Sequence, residues 1–260
     1  MKKALSMLLA GTMAMSLVAC SSGNSSSSTT ADTTAAAAAD TKSEGGDTAA
    51  DTSEDYGDYS WNLAMTVSET TTNYKMVEYF ANLVKEKSNG SINIELYPGG
   101  QLANTTEQDE ACVSGSIEMV TGMTADLTDF VKEMALFDMP NVFDNIDHMR
   151  NFLEGDYAKK QINDYCEASG IHMLAFSDAG FRELTTNVPT KSVADLAGQK
   201  IRVMTNKYHI AYWNAIGASA VPMQFNELFM GLQQGTVDGQ ENPYMNIVGN
   251  NLQEVQKYVV

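Results

Sequence analysis

Basic residues are scarce in this chain. Its 260 residues include 16 Lys and Arg against 33 Asp and Glu, which gives a formal net charge of -17 at pH 7. No basic stripe is available to neutralise phosphates, so the sequence argues against a nucleic-acid partner. Because this charge repels an anionic ligand at long range, capture of an anion would depend on a few local cations rather than on electrostatic steering.

Cysteine is also rare. The chain contains Cys20, Cys112 and Cys166 and no other cysteine. An exported location would permit a disulfide between Cys112 and Cys166, but two residues so far apart in sequence do not establish one. A disulfide and two free thiols are both open interpretations at this point.

The motifs of common catalytic and metal sites are missing. His148, His172 and His209 do not have the spacing of a zinc site, and neither a G-x-S-x-G motif nor a phosphate-binding glycine loop occurs. Asp144 and Asp147 lack the glycine and the terminal glutamate of a calcium loop. We therefore expect a protein that is not an enzyme and that needs neither a cofactor nor a metal.

Long apolar runs are absent except at the N-terminus. Two lysines precede an apolar run over 4–18, and the run ends in the sequence LVAC at 17–20. A run this short falls below the about 20 residues that a membrane-spanning helix needs, so 1–19 is predicted to be a cleaved export signal. Cysteine at this junction is typical of lipoproteins, and we expect Cys20 to carry a lipid. The alternative is an ordinary secretory signal followed by a chance cysteine.

A low-complexity segment follows the signal. Residues 20–60 consist mostly of Ser, Thr, Ala, Asp, Glu and Gly and contain almost no large apolar side chain. Such a composition cannot bury enough apolar surface to offset its ordering entropy, which predicts a flexible spacer. A helix over the alanine run at 35–39 would be too short to hold alone in water.

Residues 61–260 have the pattern of a globular protein, with alternating signals for strands and helices. This rhythm is typical of an α/β fold. From apolar periodicity and turn residues we predict strands over 63–67, 92–96, 117–121, 171–177, 182–186, 200–204 and 237–239. We predict helices over 73–87, 104–114, 147–168, 207–216 and 225–232. A capping-box pattern at 192–195 predicts a further short helical turn.

Six motifs occur in a fixed order along this region. They are YPGGQL at 97–102, MPNVF at 139–143, GFRELTTN at 180–187, DLAGQKIRV at 195–203, GASAVPM at 217–223 and VDGQENP at 237–243. In this combination the sequence resembles the solute-binding subunits of tripartite ATP-independent periplasmic (TRAP) transporters, the DctP family. The resemblance covers nearly all of 61–260.

The resemblance implies a two-lobed α/β fold of the periplasmic-binding-protein type, with the ligand held in a cleft between lobe 1 at 61–179 and lobe 2 at 180–260. Both lobes are expected to be incomplete, because chains of this family normally return to lobe 1 and add a long helix. The implied function is binding of a small organic acid, either a sugar acid or a dicarboxylate. The protein would deliver this acid to a membrane permease and work as an exported, lipid-anchored monomer in the periplasm or on the outer face of the cytoplasmic membrane.

The resemblance also implies ligand contacts. It assigns Arg202 to the ligand carboxylate, Arg182 to a second polar contact and Asn242 to a hydrogen bond. The chemistry suits the arginines because a guanidinium offers a rigid fork of donors and keeps its charge when partly desolvated. Phe181 and Asn73 are further candidates, Phe181 for stacking and Asn73 for contacts from lobe 1.

Each of these assignments has a simpler alternative. An arginine in a strand is usually a solvated surface residue, and Arg182 has many acidic residues with which to pair. Asn242 precedes a proline and fits a turn, while Phe181, Tyr212 and Trp213 fit a core. The function also has alternatives, namely a ligand-binding lipoprotein that serves a sensor kinase and a binding protein of another type of importer.

Overall fold

The computed structural model describes residues 56–260. The predicted export signal at 1–19, the predicted lipid attachment site Cys20 and most of the predicted spacer at 20–60 lie outside these residues. Regular elements follow in the order β1 (Tyr59–Ala64), α1 (Thr72–Lys87), β2 (Ile92–Tyr97), α2 (Thr105–Val113), β3 (Met119–Val120), α3 (Ile146–Glu154), α4 (Asn163–Ala168), β4 (Arg182–Thr186), β5 (Lys200–Val203), α5 (Lys207–Ala215), β6 (Ser219–Pro222), α6 (Leu228–Gln233), β7 (Gly239–Pro243), α7 (Tyr244–Gly249) and β8 (Tyr258–Val259).

The strands form two sheets. The first contains three strands in the order β2-β1-β3, and all of its pairings are parallel. The second contains five strands in the order β6-β5-β7-β4-β8. Here β5 runs parallel to β6 and β7, whereas β4 runs antiparallel to β7 and β8. Parallel strands joined through helices confirm the predicted α/β class.

Each sheet has a core of its own. In the first sheet, Leu63 and Ile94 pack with Val77 and Ala81 of α1. In the second sheet, Ile201, Val203 and Leu184 pack with Trp213 of α5. The two cores account for the apolar periodicity of α1 and α5, since the apolar face of each of these helices covers one sheet.

Side-chain caps fix where several helices begin. Thr71 accepts the backbone N–H of Tyr74 at the start of α1, and Asn206 does the same for Tyr208 and His209 at the start of α5. At α2, Asn104 and Glu107 form a reciprocal capping box. A further capping box, predicted over 192–195, is present before a short 3-10 turn at Val193–Leu196. These caps satisfy N–H groups that have no partner within the helix.

The segment between α4 and β4 differs from prediction. No strand forms over 171–177, and the backbone from 171 to 181 has no regular structure. The prediction was wrong because apolar alternation alone does not supply the neighbouring strand with which a β-strand must pair. The boundary expected between 179 and 180 falls in this segment.

Two predicted helices and one boundary also differ. The helix expected over 147–168 is interrupted at Gly155, so that α3, a π-helical turn at Tyr157–Ile162 and α4 follow each other. The helix expected over 225–232 begins as a 3-10 turn at Phe225–Glu227 before α6. At the start of the folded region, β1 already includes Tyr59 and Ser60.

Contacts also connect the last helix to the part of the chain that carries the first sheet. The side chain of Ser68, after β1, donates to the carbonyl of Gly249 at 2.8 Å, and its N–H donates to Asn250 Oδ1 at 3.1 Å. Gly249 is required here, because a Cβ atom would lie 2.7 Å from Thr71 Cγ2. A second link runs from Asn206 Nδ2 to the carbonyl of Ala125 at 2.8 Å.

The structure answers the question that the sequence left open about Cys112 and Cys166. Cys112 and Cys166 are both free thiols, so they do not form the disulfide that the sequence left open. Within residues 56–260, no helix has the length and apolar character needed to cross a membrane.

Candidate functional site

A cavity of about 220 Å³ lies at the carboxyl ends of parallel strands from both sheets. Its lining includes Val67 after β1, Gly122 after β3, Met204 after β5 and Gln224 after β6. All four positions follow the carboxyl ends of parallel strands. In open α/β sheets this is the usual location of a ligand.

Arg202 contributes the buried cation of this cavity. It is 3% exposed, because β5 is a central strand covered on both faces. Its Nε and Nη2 donate to the carbonyl of Met223 at 2.9 and 2.7 Å, while Nη1 is buried and has no hydrogen-bond partner. The guanidinium also lies 5.8 Å from the ring centre of Phe225, within range of a cation–π contact.

The charge of Arg202 has no direct partner. No carboxylate of residues 56–260 lies within ion-pairing distance of it. Burial lowers the pKa of Arg202 to about 10, although the negative charge of Glu241 opposes this shift. The side chain therefore stays positively charged at neutral pH. A buried cation with an unpaired NH2 group is costly unless an anion is bound to it.

Arg182 has a different environment. Its guanidinium forms an ion pair with Glu241, donates to the Glu241 carbonyl at 2.6 Å and reaches Asn242 Oδ1 at 3.4 Å. It is not among the residues that line the cavity. The acidic alternative foreseen for Arg182 therefore occurs, with Glu241 as the partner, and Arg182 lies behind Asn242 instead of in the cavity wall.

Asn242 lies in β7, not in a turn. It is 2% exposed and lines the cavity. Its amide donates to Gln240 Oε1 at 2.5 Å, and its Oδ1 is within 3.4 Å of Asn246 Nδ2 as well as of Arg182. These neighbours fix the orientation of the Asn242 side chain.

The remaining candidates divide into two groups. Asn73 lines the cavity, and its Oδ1 is buried without a hydrogen-bond partner. Phe181 is 55% exposed and does not line the cavity. Tyr212 is also exposed. Trp213 belongs to the core of the second sheet, which is the alternative to a ligand contact that the sequence offered for it. The structure thus brings Arg202, Asn242 and Asn73 together and leaves Phe181 apart.

Sequence reasoning missed an acidic wall of the cavity. Asp109 of α2 is 3% exposed, and its Oδ2 has no hydrogen-bond partner. Burial, helped by the nearby charge of Asp126, raises the pKa of Asp109 to about 8. Burial also raises the pKa of Asp126 to about 6, although a hydrogen bond from the Met123 N–H and the charge of Arg202 oppose the shift. Both side chains line the cavity.

A network of charges supports the second sheet beside the cavity. His209 lies between two carboxylates, with Nδ1 3.3 Å from Glu241 Oε1 and Nε2 3.2 Å from Asp138 Oδ1. Burial alone would lower the pKa of His209, but these two hydrogen bonds outweigh it and raise the pKa to about 9. Burial likewise opposes ionisation of Glu241, yet Arg182 and His209 hold its pKa at about 2.

The part of the chain that the structure describes has no candidate metal site. There, no group of three or more His, Cys, Asp and Glu side chains is placed to hold a metal ion. The polar side chains of the cavity carry guanidinium, amide, carboxyl and hydroxyl groups, which suit an organic ligand with oxygen atoms.

Comparison with known proteins gives a consistent family. Residues 63–260 match the model of the DctP family, bacterial extracellular solute-binding protein family 7. The C4-dicarboxylate-binding periplasmic protein DctP of Rhodobacter capsulatus is 34% identical over 193 residues, which are 74% of this chain and 58% of that relative. The C4-dicarboxylate-binding protein DctB of Bacillus subtilis is 32% identical, over 74% of this chain and 55% of its own length.

Solved structures agree in fold. The sugar acid binding protein DctPAm of Advenella mimigardefordensis, in complex with galactonate, is similar with a TM-score of 0.75 and 30% identity. A TRAP periplasmic solute binding protein of Sulfurospirillum deleyianum with bound succinate has a TM-score of 0.74 and 32% identity. Each comparison covers 78% of this chain and 66% of the other chain. The chain therefore has the fold of a two-lobed TRAP solute-binding protein. It spans about two thirds of the length of these two structures, and less than two thirds of the length of the two relatives from Rhodobacter capsulatus and Bacillus subtilis.

Proposed function

This chain belongs to the DctP family of bacterial extracellular solute-binding proteins, and we propose that it binds a small organic acid for a TRAP transporter. The ligand would be a sugar acid or a dicarboxylate, captured outside the cytoplasm and delivered to the membrane permease. The observation that carries this proposal is Arg202, a buried cation whose Nη1 is unpaired, in a cavity at the carboxyl ends of parallel strands from both sheets.

In the proposed complex, the ligand carboxylate accepts hydrogen bonds from Arg202. Nη1 is the donor left free, while the bonds from Nε and Nη2 to Met223 hold the guanidinium in place. An ion pair of this kind gains strength when water is excluded, because the local dielectric falls. Closure of the two sheets over the ligand would supply that exclusion, and opening would release the acid to the permease.

The other predicted residues take supporting roles in this proposal. Asn242 offers its amide to the ligand from β7, and Asn73 offers an unpaired oxygen from α1. Arg182 acts indirectly: together with Glu241 it fixes Asn242 from behind. Phe181 has no contact with the cavity in this arrangement, and its expected role requires a movement of the segment before β4.

The cellular arrangement is part of the same proposal. Export by the segment at 1–19 and a lipid on Cys20 would hold the folded region near the membrane, at the end of the spacer that runs to residue 60. The protein would work there as a monomer, without cofactor and without catalysis.

Replacement of Arg202 tests the function. Isothermal titration of the full chain with a panel of sugar acids and dicarboxylates should detect binding, and Arg202→Met should weaken it by about 2–5 kcal/mol because a buried charge pair loses one partner. Arg150→Met is the matched control, since Arg150 is about half exposed and pairs with Asp178 at 2.8 Å outside this cavity. Equal affinities of wild type and Arg202→Met would contradict the proposal, as would the absence of binding by any acid in ligand-free, folded protein.

A further inference from the structure

The wall contributed by α2 limits which acid the cavity accepts. We propose that the cavity selects a monocarboxylate whose far end carries hydrogen-bond donors, hydroxyl or ammonium groups, and that Asp109 receives this end while a second carboxylate is rejected. This inference rests on the proposed function, because it assumes that Arg202 holds the first carboxylate.

The unpaired atoms of the cavity supply the first argument. Arg202 Nη1 is an unpaired donor, whereas Asp109 Oδ2, Asn73 Oδ1 and Asn246 Oδ1 are unpaired acceptors in the same lining. Buried polar atoms without partners cost free energy, so a ligand that pairs with them is bound preferentially. One carboxylate satisfies the donor, and the three acceptors require donors from the remainder of the ligand.

The charges of the lining supply the second argument. Four carboxyl groups line the cavity, on Asp109, Glu110, Asp126 and Asp129, and Arg202 is the single Lys or Arg among its lining residues. The neighbouring cation, Arg182, is already paired with Glu241. A second carboxylate on the ligand would therefore face Asp126 and the exposed Glu110 and Asp129 without a counter-ion of its own, and like charges at short range repel.

The position of Asp109 relative to the cation is the third argument. Arg202 lines the cavity from β5 of the second sheet and pairs with no carboxylate of the described residues, whereas the opposite charge type is offered by Asp109, which lines the cavity from α2. A ligand anchored at Arg202 would reach Asp109 with the end opposite its carboxylate.

Burial adds a property that favours donors at this end. The raised pKa of Asp109 leaves its carboxyl group largely protonated at neutral pH in the ligand-free cavity. The other acidic groups of the lining are Asp126, whose charge contributes to this shift, and Glu110 and Asp129. A protonated carboxyl group both donates and accepts, which matches a hydroxyl group. An ammonium group would instead bind its ionised form, and in both cases the ligand supplies a donor to Oδ2.

Matched acids test the selectivity. Titration calorimetry of the full chain at pH 7.5 would compare D-gluconate with D-glucarate, which differ only in the oxidation of one terminal carbon. It would also compare 4-hydroxybutanoate and 4-aminobutanoate with succinate. We expect the acid with a donor at its far end to bind at least about tenfold more tightly than its dicarboxylate partner, a difference of about 1.4 kcal/mol. Tighter binding of 4-hydroxybutanoate or of 4-aminobutanoate identifies which donor the site takes.

Variants at α2 test the residue. Asp109→Leu should remove this preference by weakening the donor-bearing acids about tenfold, while butanoate, which has no such donor, should bind unchanged. Asp164→Leu, at an exposed position of α4, is the control for the loss of one acid. Asp109→Asn keeps the shape of the side chain and replaces the leucine variant in this test if that variant does not fold. It should weaken the binding of 4-aminobutanoate more than the binding of 4-hydroxybutanoate.

The outcomes separate the two proposals. If glucarate and succinate bind as tightly as their matched partners, or if the preference persists in Asp109→Leu, the selectivity proposal is wrong although the function stands. If no acid binds, or if Arg202→Met has no effect on binding, the function itself is wrong and the selectivity proposal falls with it.

Discussion

The ligand-free stability of this protein should depend on pH through Asp109. The pKa of this carboxyl group rises from its ordinary value of 3.8 to about 8 on folding, mainly because burial disfavours the charged form. Between these two values the folded state holds a proton that the unfolded state has released. Stability is then fully present below pH 3.8 and is lost as pH rises through 8, with a slope of about 1.4 kcal/mol per pH unit.

The substitution Asp109→Asn isolates this effect, because the amide has nearly the same shape and does not titrate. The variant and the wild type should be similarly stable below pH 3.8, and between pH 5 and pH 7 the variant should gain about 3 kcal/mol relative to wild type. For a folded region of this size, that difference corresponds to a rise in melting temperature of about 6–12 °C.

Thermal and urea unfolding between pH 5 and 8, in buffers without carboxylates, measure the difference. Buffer carboxylates must be avoided because binding of one to Arg202 would stabilise the folded state by mass action. Asp164→Asn, the same chemical change on exposed α4, should show the wild-type pH profile. A difference between Asp109→Asn and wild type that stays constant across this pH range would refute the assignment of a raised pKa to Asp109.

Two further predictions concern other residues. His209→Gln should flatten the alkaline side of the stability profile, because the pKa of His209, raised from 6.5 to about 9, makes wild-type stability fully present below pH 6.5 and lost as pH rises through 9. Urea unfolding from pH 6 to 10 checks this, and parallel profiles of variant and wild type would contradict it. Cys20→Ser should move the full chain from the membrane fraction to the soluble fraction of the bacterial host, whereas Cys112→Ser should not. An unchanged distribution of Cys20→Ser would show that no lipid is attached there.

The sequence predicted those elements whose apolar periodicity reports directly on burial. α1, β2 and β4 were predicted within one residue of their bounds, because Val77, Ala81 and Ile94 mark a single covered face. The segment at 171–177 shows the same alternation but forms no strand. Periodicity describes one chain segment, whereas a strand also requires a neighbour with which its backbone can pair.

The sequence could not reveal which side chains pair across neighbouring strands, or which polar side chains become buried in the site. Arg202 was found through a motif, and burial in a central strand now gives it a physical basis. The partner of Arg182 was not found, because Glu241 meets β4 only through the antiparallel register that pairs it with Leu184. Asp109 gave no signal at all: the buried side of α2 consists of Gln108 and Asp109, and an apolar stripe that would have marked this face is absent.

The two arginines show why residue type alone does not define the specificity of such a cavity. The resemblance assigned Arg202 to the ligand carboxylate and Arg182 to a second polar contact, and two free cations would favour a ligand with two carboxylates. In the folded chain the charge of Arg182 is offset by Glu241, whose pKa is held at about 2, so this pair stays ionised and neutral overall at any physiological pH. In the cavity lining, Arg202 Nη1 is a buried donor without a partner, and Asp109 Oδ2 is a buried acceptor without one. A ligand complementary to that pair carries one negative charge and one donor-bearing end, and selectivity follows from the polar groups that folding leaves unpaired.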